Sequence, residues 1–122
     1  MVLISKCCVG VKCRYRHNGF WRKFVAEVGE VEDFIAVCPE MLGGLPLPRE
    51  GCNVTKSGQV VGRRTRKDYT INYQYGAQAT LEICQRNGIK RAYLLKNSPS
   101  CGAEYGLTAK LLAAHGIEII PV

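Results

Sequence analysis

The sequence has no C-x-x-C pair, although seven of its 122 residues are cysteine. Compact zinc ribbons and knuckles are built on such pairs, so the thiols do not read as one of those. The odd count also leaves no complete disulfide framework. Neither G-x-G-x-x-G nor G-x-x-x-x-G-K-[ST] is present, which leaves little support for a phosphate-binding α/β domain with incidental thiols. No apolar run approaches the roughly 20 residues of a membrane span. The opening MVLISKCCVG has no basic stretch before its few apolar residues and reads as a first strand, not a signal peptide. Repeats and low-complexity segments are absent. These absences predict a soluble cytoplasmic protein with no membrane partner, its cysteines kept for metal or redox chemistry.

What is present is basic and apolar in separate places. Seventeen Lys and Arg face ten Asp and Glu, for a net charge of +7, concentrated in KCRYR (residues 12–16) and GRRTRK (residues 62–67). Such runs attract polyanions, and a solvated face is the plainer reading. The length suits one domain, residues 1–122, with a single core.

Val2 to Ser5 and Phe34 to Val37 are short apolar runs that read as buried strands. Between them Phe20, Phe24 and Val28 recur at helical spacing, with Asn18 as cap and Gly29 as stop. MLGGLPLPREG reads as a loop. Cys52 to Thr55 and Gln59 to Val61 flank KSG as a small hairpin. A helix is predicted from Asp68 to Gln85, with Asp68 as cap and Tyr73, Ala77, Leu81 and Cys84 on one face. Arg91 to Leu95 is then a strand, Leu107 to Ala114 a helix ended by Gly116, and Ile117 to Ile120 a strand. Strands alternating with helices predict right-handed crossovers. The fold class is α/β: a small Rossmann-like three-layer domain with a mostly parallel sheet of about four strands.

In such a sheet the carboxyl ends of the strands share one edge, where ligands bind. Cys7 follows the first strand, Cys38 ends the second, and Cys101 in SPSCG lies beyond the third. Three convergent thiols suit zinc, copper(I) or an iron–sulfur cluster, and spacing does not choose among them. A cubane held by three cysteines leaves one iron without a protein ligand, open as a Lewis acid. Cys8 and Cys13 are close enough to Cys7 to be alternative ligands. Cys84, on the apolar helix face, reads as a small buried hydrophobe, and Cys52 has no evident chemistry.

Four ordered motifs, LISKCCVGVKCRY, VCPEMLGGLPLPR, KNSPSCG and GLTAKLLAAHGIEI, together with DYTINYQYGA, resemble the small bacterial and archaeal family that includes the thiouracil desulfidases. The resemblance spans almost the whole chain. It implies a [4Fe-4S] cluster held by Cys7, Cys38 and Cys101, with the fourth iron binding the sulfur of a thiolated pyrimidine. It also implies that Glu40 and a serine of SPSC assist the chemistry, Ser98 being favoured over Ser100. The implied partners are thiouracils or 4-thiouridine monophosphate, and longer relatives act on thiolated transfer RNA. Two features depart from the family pattern. Cys8 stands where leucine is common, and only AEY separates SPSCG from the GLTA helix, where some fifteen or more residues are usual.

The expected reaction is non-redox. A soft thiocarbonyl sulfur meets an exposed iron, water attacks the ring carbon, and sulfide leaves. Glu40 is the expected proton carrier, and its plainer reading is a carboxylate in the first turn of a helix after Pro39. Ser98 or Ser100 would orient water or base. Arg14 and Arg49 are candidates for a substrate phosphate. Gly43 and Gly44 allow close approach of the backbone to cluster or substrate, or form a tight turn. The basic face is a candidate contact for tRNA. His17 and His115 do not stand out. The alternative function is a noncatalytic iron–sulfur or zinc protein that senses redox state or binds RNA.

Overall fold

The computed structural model describes residues 1–5, 29, 33–45, 50–95 and 106–122. Four short strands form one sheet: β1 (Val2–Ser5), β2 (Phe34–Val37), β5 (Arg91–Leu94) and β6 (Glu118–Pro121), in the order β2-β1-β5-β6. All of its ladders are parallel, as the α/β reading requires. Ser5 lies beside Val37, while Leu3 and Ile4 lie beside Ala92 and Tyr93. The chain steps from β1 to β2 on one side, then crosses to β5 on the other. The strand order therefore reverses at β1, which puts a topological switch point between β1 and β5.

Helix α2 (Thr70–Arg86) connects towards β5, and α3 (Leu107–Ala114) connects β5 to β6. Both crossovers move in the same direction, so right-handed connections lay both helices on one face. They do pack against each other. The predicted stripe Tyr73, Ala77, Leu81 and Cys84 is buried along its whole length. Leu3, Ile4, Leu94 and Leu112 have no exposed surface and form the centre of the main core. Each such side chain contributes roughly 1.5–3 kcal/mol of transfer free energy, enough to hold four-residue strands that propensity alone would not. The predicted helix at Phe20–Val28, which would supply the other layer, lies outside the described residues.

Strands β3 (Cys52–Val54) and β4 (Val60–Gly62) form the expected hairpin, with Val54 opposite Val60. It closes a second, smaller cluster of Leu45, Cys52, Val60 and Tyr73 against α2. Most boundary differences from the sequence reading are a single residue, and three differences have a physical reason. Helix α2 begins at Thr70, with Tyr69 at the N-cap, one residue later than a cap at Asp68 implies: Asp68 bridges to Val61, and its carboxylate accepts the Thr70 amide at 2.8 Å. Strand β6 runs one residue later than Ile117–Ile120, because the Ile117 amide still serves the Leu112 carbonyl at the end of α3. Pro121 is tolerated because β6 is an edge strand. The third difference matters for function: the expected MLGG loop opens with a helical turn, α1 (Pro39–Leu42).

Candidate active site

Cys38, Pro39 and Glu40 leave the carboxyl end of β2 directly into α1, with Cys38 at the N-cap and Pro39 in the first turn. Proline suits that place, since an amide there would have no helical partner. Cys38 is 6% exposed and belongs to the main core. Glu40 is 7% exposed. A carboxylate buried to that degree needs donors, and one is the Tyr73 hydroxyl, which reaches its Oε1 at 3.1 Å. Burial, and then the Glu40 charge, push the Tyr73 phenol well above its ordinary value, so it remains a donor. The Cys52 thiol is within hydrogen-bonding reach of the same phenol.

α1 is seated on α2 by two glycines. A Cβ built on Gly76 would stand 1.9 Å from the Pro39 carbonyl oxygen, and one on Gly43 would stand 2.0 Å from that of Asn72. No side chain fits at either place, so the two backbones touch. Asn72 Nδ2 then donates to the Gly43 carbonyl at 2.9 Å. Gly44 has φ +85, the left-handed turn that ends α1. Of the two glycines read as permitting close approach, Gly43 thus meets α2 and Gly44 turns the chain.

Cys7 lies two residues beyond Ser5, and Cys101 seven beyond Leu94. β1 and β5 end at the same edge of the sheet as β2, on either side of the switch point. Cys7, Cys8, Cys13, Arg14, His17, Arg49, Ser98, Ser100 and Cys101 lie outside the described residues. Among the described residues, no three His, Cys, Asp or Glu are gathered as for a metal. Cys84 is fully buried, and burial pushes its thiol up to about 11, which suits the inert reading. His115 caps α3, its Nδ1 2.9 Å from the Leu111 carbonyl.

Two side chains whose bonds shape this region were missed from sequence. Tyr73 was read only as part of an apolar stripe, yet tyrosine rather than phenylalanine on a buried face signals an acceptor nearby. Glu50 follows Arg49 with no motif around it. Its carboxylate accepts the amides of Arg64 at 2.9 Å and Thr65 at 3.0 Å, the Thr65 hydroxyl, and the Tyr69 hydroxyl at 3.0 Å. These bonds, that of the Thr65 hydroxyl first, draw it down to about 2. The basic turn at residues 62–67 is thereby tied to the strand of Cys52, with Arg63 held by Asn53 at 2.9 Å.

Comparison with known proteins agrees with this architecture. YbbK, an uncharacterised protein of Bacillus subtilis (strain 168), is 30% identical over 142 residues, covering 98% of this chain and 94% of the relative. The alignment is longer than the 122 residues of this chain, so YbbK carries inserted residues that this chain lacks. The solved structure of the [4Fe-4S]-dependent thiouracil desulfidase TudS superposes with a TM-score of 0.82 at 31% identity, covering 98% of this chain and 89% of that one. Among the described residues, no helix is long and apolar enough to cross a membrane. The family model for 2-thiouracil desulfurase matches residues 2–121, and the chain belongs to that family.

Proposed function

We propose that the protein is a [4Fe-4S]-dependent desulfidase that converts a thiolated pyrimidine, as base or nucleotide, to its oxo form and sulfide. The observation that carries this reading is the buried Cys38-Pro39-Glu40 turn at the carboxyl edge of the sheet, in a chain that superposes on TudS over nearly its whole length. In the balanced reaction, water adds its oxygen to the ring carbon, the carbon–sulfur bond breaks, and sulfur leaves as hydrogen sulfide. No electron is gained or lost.

The proposed donors are soft, as such a cluster requires: Cys38 offers a thiol from an apolar wall, and Cys7 and Cys101 follow in sequence the two strands that flank the switch point. When bound, the cluster supplies an iron open to a thiocarbonyl sulfur. Glu40 takes the proton of the attacking water through its carboxylate and returns it to the departing sulfur or to a ring nitrogen. Ser98, or Ser100, orients the water. Arg14 and Arg49 hold a phosphate where the substrate is a nucleotide, by charge-assisted hydrogen bonds. Arg63, Arg64, Arg66 and Lys67 form an exposed basic face on the hairpin side and are the candidate contact for tRNA. The protein works as a single domain, in the cytoplasm, where thiols stay reduced.

The test is sulfide release from 2-thiouracil and from 4-thiouridine monophosphate, after reconstitution with iron and sulfide without oxygen. Turnover that depends on the cluster is expected and ranks the two substrates. Cys38→Ala should lose cluster and activity together, whereas Glu40→Gln should keep the cluster and lose turnover by about 10²-fold or more. A loaded cluster with no turnover on either substrate, or a reversible one-electron signal in its place, would overturn the reading in favour of a sensor.

A further inference from the structure

One turn of α2 grips all of α1. Asn72 binds the Gly43 carbonyl, Gly76 lies against the Pro39 carbonyl, and between them Tyr73 reaches the Glu40 carboxylate. Asn72 and Gly76 hold only backbone. Tyr73 alone of the three acts on a side chain, at Oε1 of Glu40, 3.1 Å away. Its ring is 2% exposed and packs with Leu45, Cys52 and Val60. Phenylalanine would fill the same space. The hydroxyl must therefore be explained separately, because a buried phenol without a partner costs about 1–3 kcal/mol. Its surroundings also fix its direction. The Cys52 thiol borders the phenol and makes a weak contact of its own, at 3.9 Å, to the Glu50 carbonyl.

From this geometry we infer that Tyr73 is a positioning residue for the desulfidation reaction: its buried hydroxyl fixes the plane and direction of the Glu40 carboxylate. The inference rests on the role proposed above for Glu40. It assigns Tyr73 no contact with substrate and no proton transfer. A carboxylate that can swing about its last torsion meets the attacking water in the productive orientation only part of the time, and misplacement by about 1 Å can cost 10²-fold in rate. A donor on Oε1, mounted on a helix that touches α1 backbone to backbone, removes that freedom.

Tyr73→Phe, Glu40→Gln and the double variant are compared with the parent, each reconstituted to measured iron and sulfide content. Tyr73→Phe should keep the cluster and leave KM within about twofold, while kcat falls by about tenfold or more. The double variant should be no slower than Glu40→Gln alone, since a residue that acts through Glu40 has nothing left to position. A second readout needs neither cluster nor turnover. 3-Fluorotyrosine placed at position 73 of the cluster-free protein should show a fluorine resonance that shifts when Glu40→Gln is introduced.

Parent-like kcat in Tyr73→Phe beside an inactive Glu40→Gln would overturn the inference and leave the Glu40 reading intact. So would full additivity in the double variant, or an unmoved fluorine resonance. Full activity in Glu40→Gln would overturn both.

Discussion

Ten residues separate two glutamates that this fold treats in opposite ways. Glu50 sits at the surface end of the hairpin and is met by two amides and two hydroxyls, which hold it ionised down to about pH 2. Glu40 is 7% exposed, sits on a one-turn helix, and meets the phenol of Tyr73. The backbone amides around Glu50 belong to the turn it closes, so that carboxylate is consumed in shaping residues 62–67. A donor on Glu40, the Tyr73 hydroxyl, comes from a different element, 33 residues away. A charge used for architecture is surrounded by local amides. The carboxylate proposed for chemistry is also reached from across the fold, by the Tyr73 hydroxyl.

Substitutions that attack each side should separate the two. The largest effect is expected from Gly76→Ala. In an unhindered helix interior this change would stabilise by about 1 kcal/mol. Here the new methyl would overlap the Pro39 carbonyl, so we expect roughly 1–3 kcal/mol of destabilisation, read as a lower Tm, and loss of turnover as the Glu40 turn is lifted off α2. A rise in Tm would show that the two backbones can part freely. Next comes Glu50→Ala, which should lower Tm at neutral pH while leaving KM and kcat for the free base near parental values.

Its signature is in acid. The Glu50 value is lower in the folded chain than its ordinary 4.5, so the stabilisation is complete above about pH 4.5 and fades as pH falls towards 2. Thermal melts of cluster-free protein at pH 7 and pH 3 should therefore differ less for the variant than for the parent. The smallest effect is expected from Tyr69→Phe, which removes one of the Glu50 donors. It should shift Tm in the same direction as Glu50→Ala but by less, with no change in kcat. That contrast with Tyr73→Phe would set the two tyrosines apart as the two glutamates are.

Most of the frame was legible because local pattern and tertiary demand agree. β1, β2 and α3 have the predicted bounds, and the hairpin and β5 differ by a residue at their ends. The chain order also placed the carboxyl end of β2, and so Cys38, at the ligand edge. The α1 turn was hidden inside a Gly- and Pro-rich run that carries loop chemistry, although a helical start after Pro39 was the plainer alternative for Glu40. Gly43 and Gly76 show why it was hard to see. Their meaning is a pair of contacts, Gly43 with Asn72 and Gly76 with Pro39, far apart in sequence, and nothing local distinguishes a glycine that admits a neighbouring backbone from one that turns the chain. The Glu50 bonds span up to 19 residues, too far apart in sequence for any local pattern to signal them. The thiol and serine positions came from motif likeness, with the parallel order telling only which edge they leave from.

The ladder between β1 and β5 stops a row early. β1 stays paired with β2 as far as Ser5 and Val37, and β5 with β6 as far as Leu94 and Pro121, yet β1 and β5 last meet at Ile4 and Tyr93. Just above, the Leu95 amide turns to the buried Ser5 hydroxyl at 3.3 Å. A zip normally runs on until its teeth give out; here a stop is sewn into the seam. The Leu95 amide is thereby satisfied by a side chain where the ladder ends, so no buried amide is orphaned at that row.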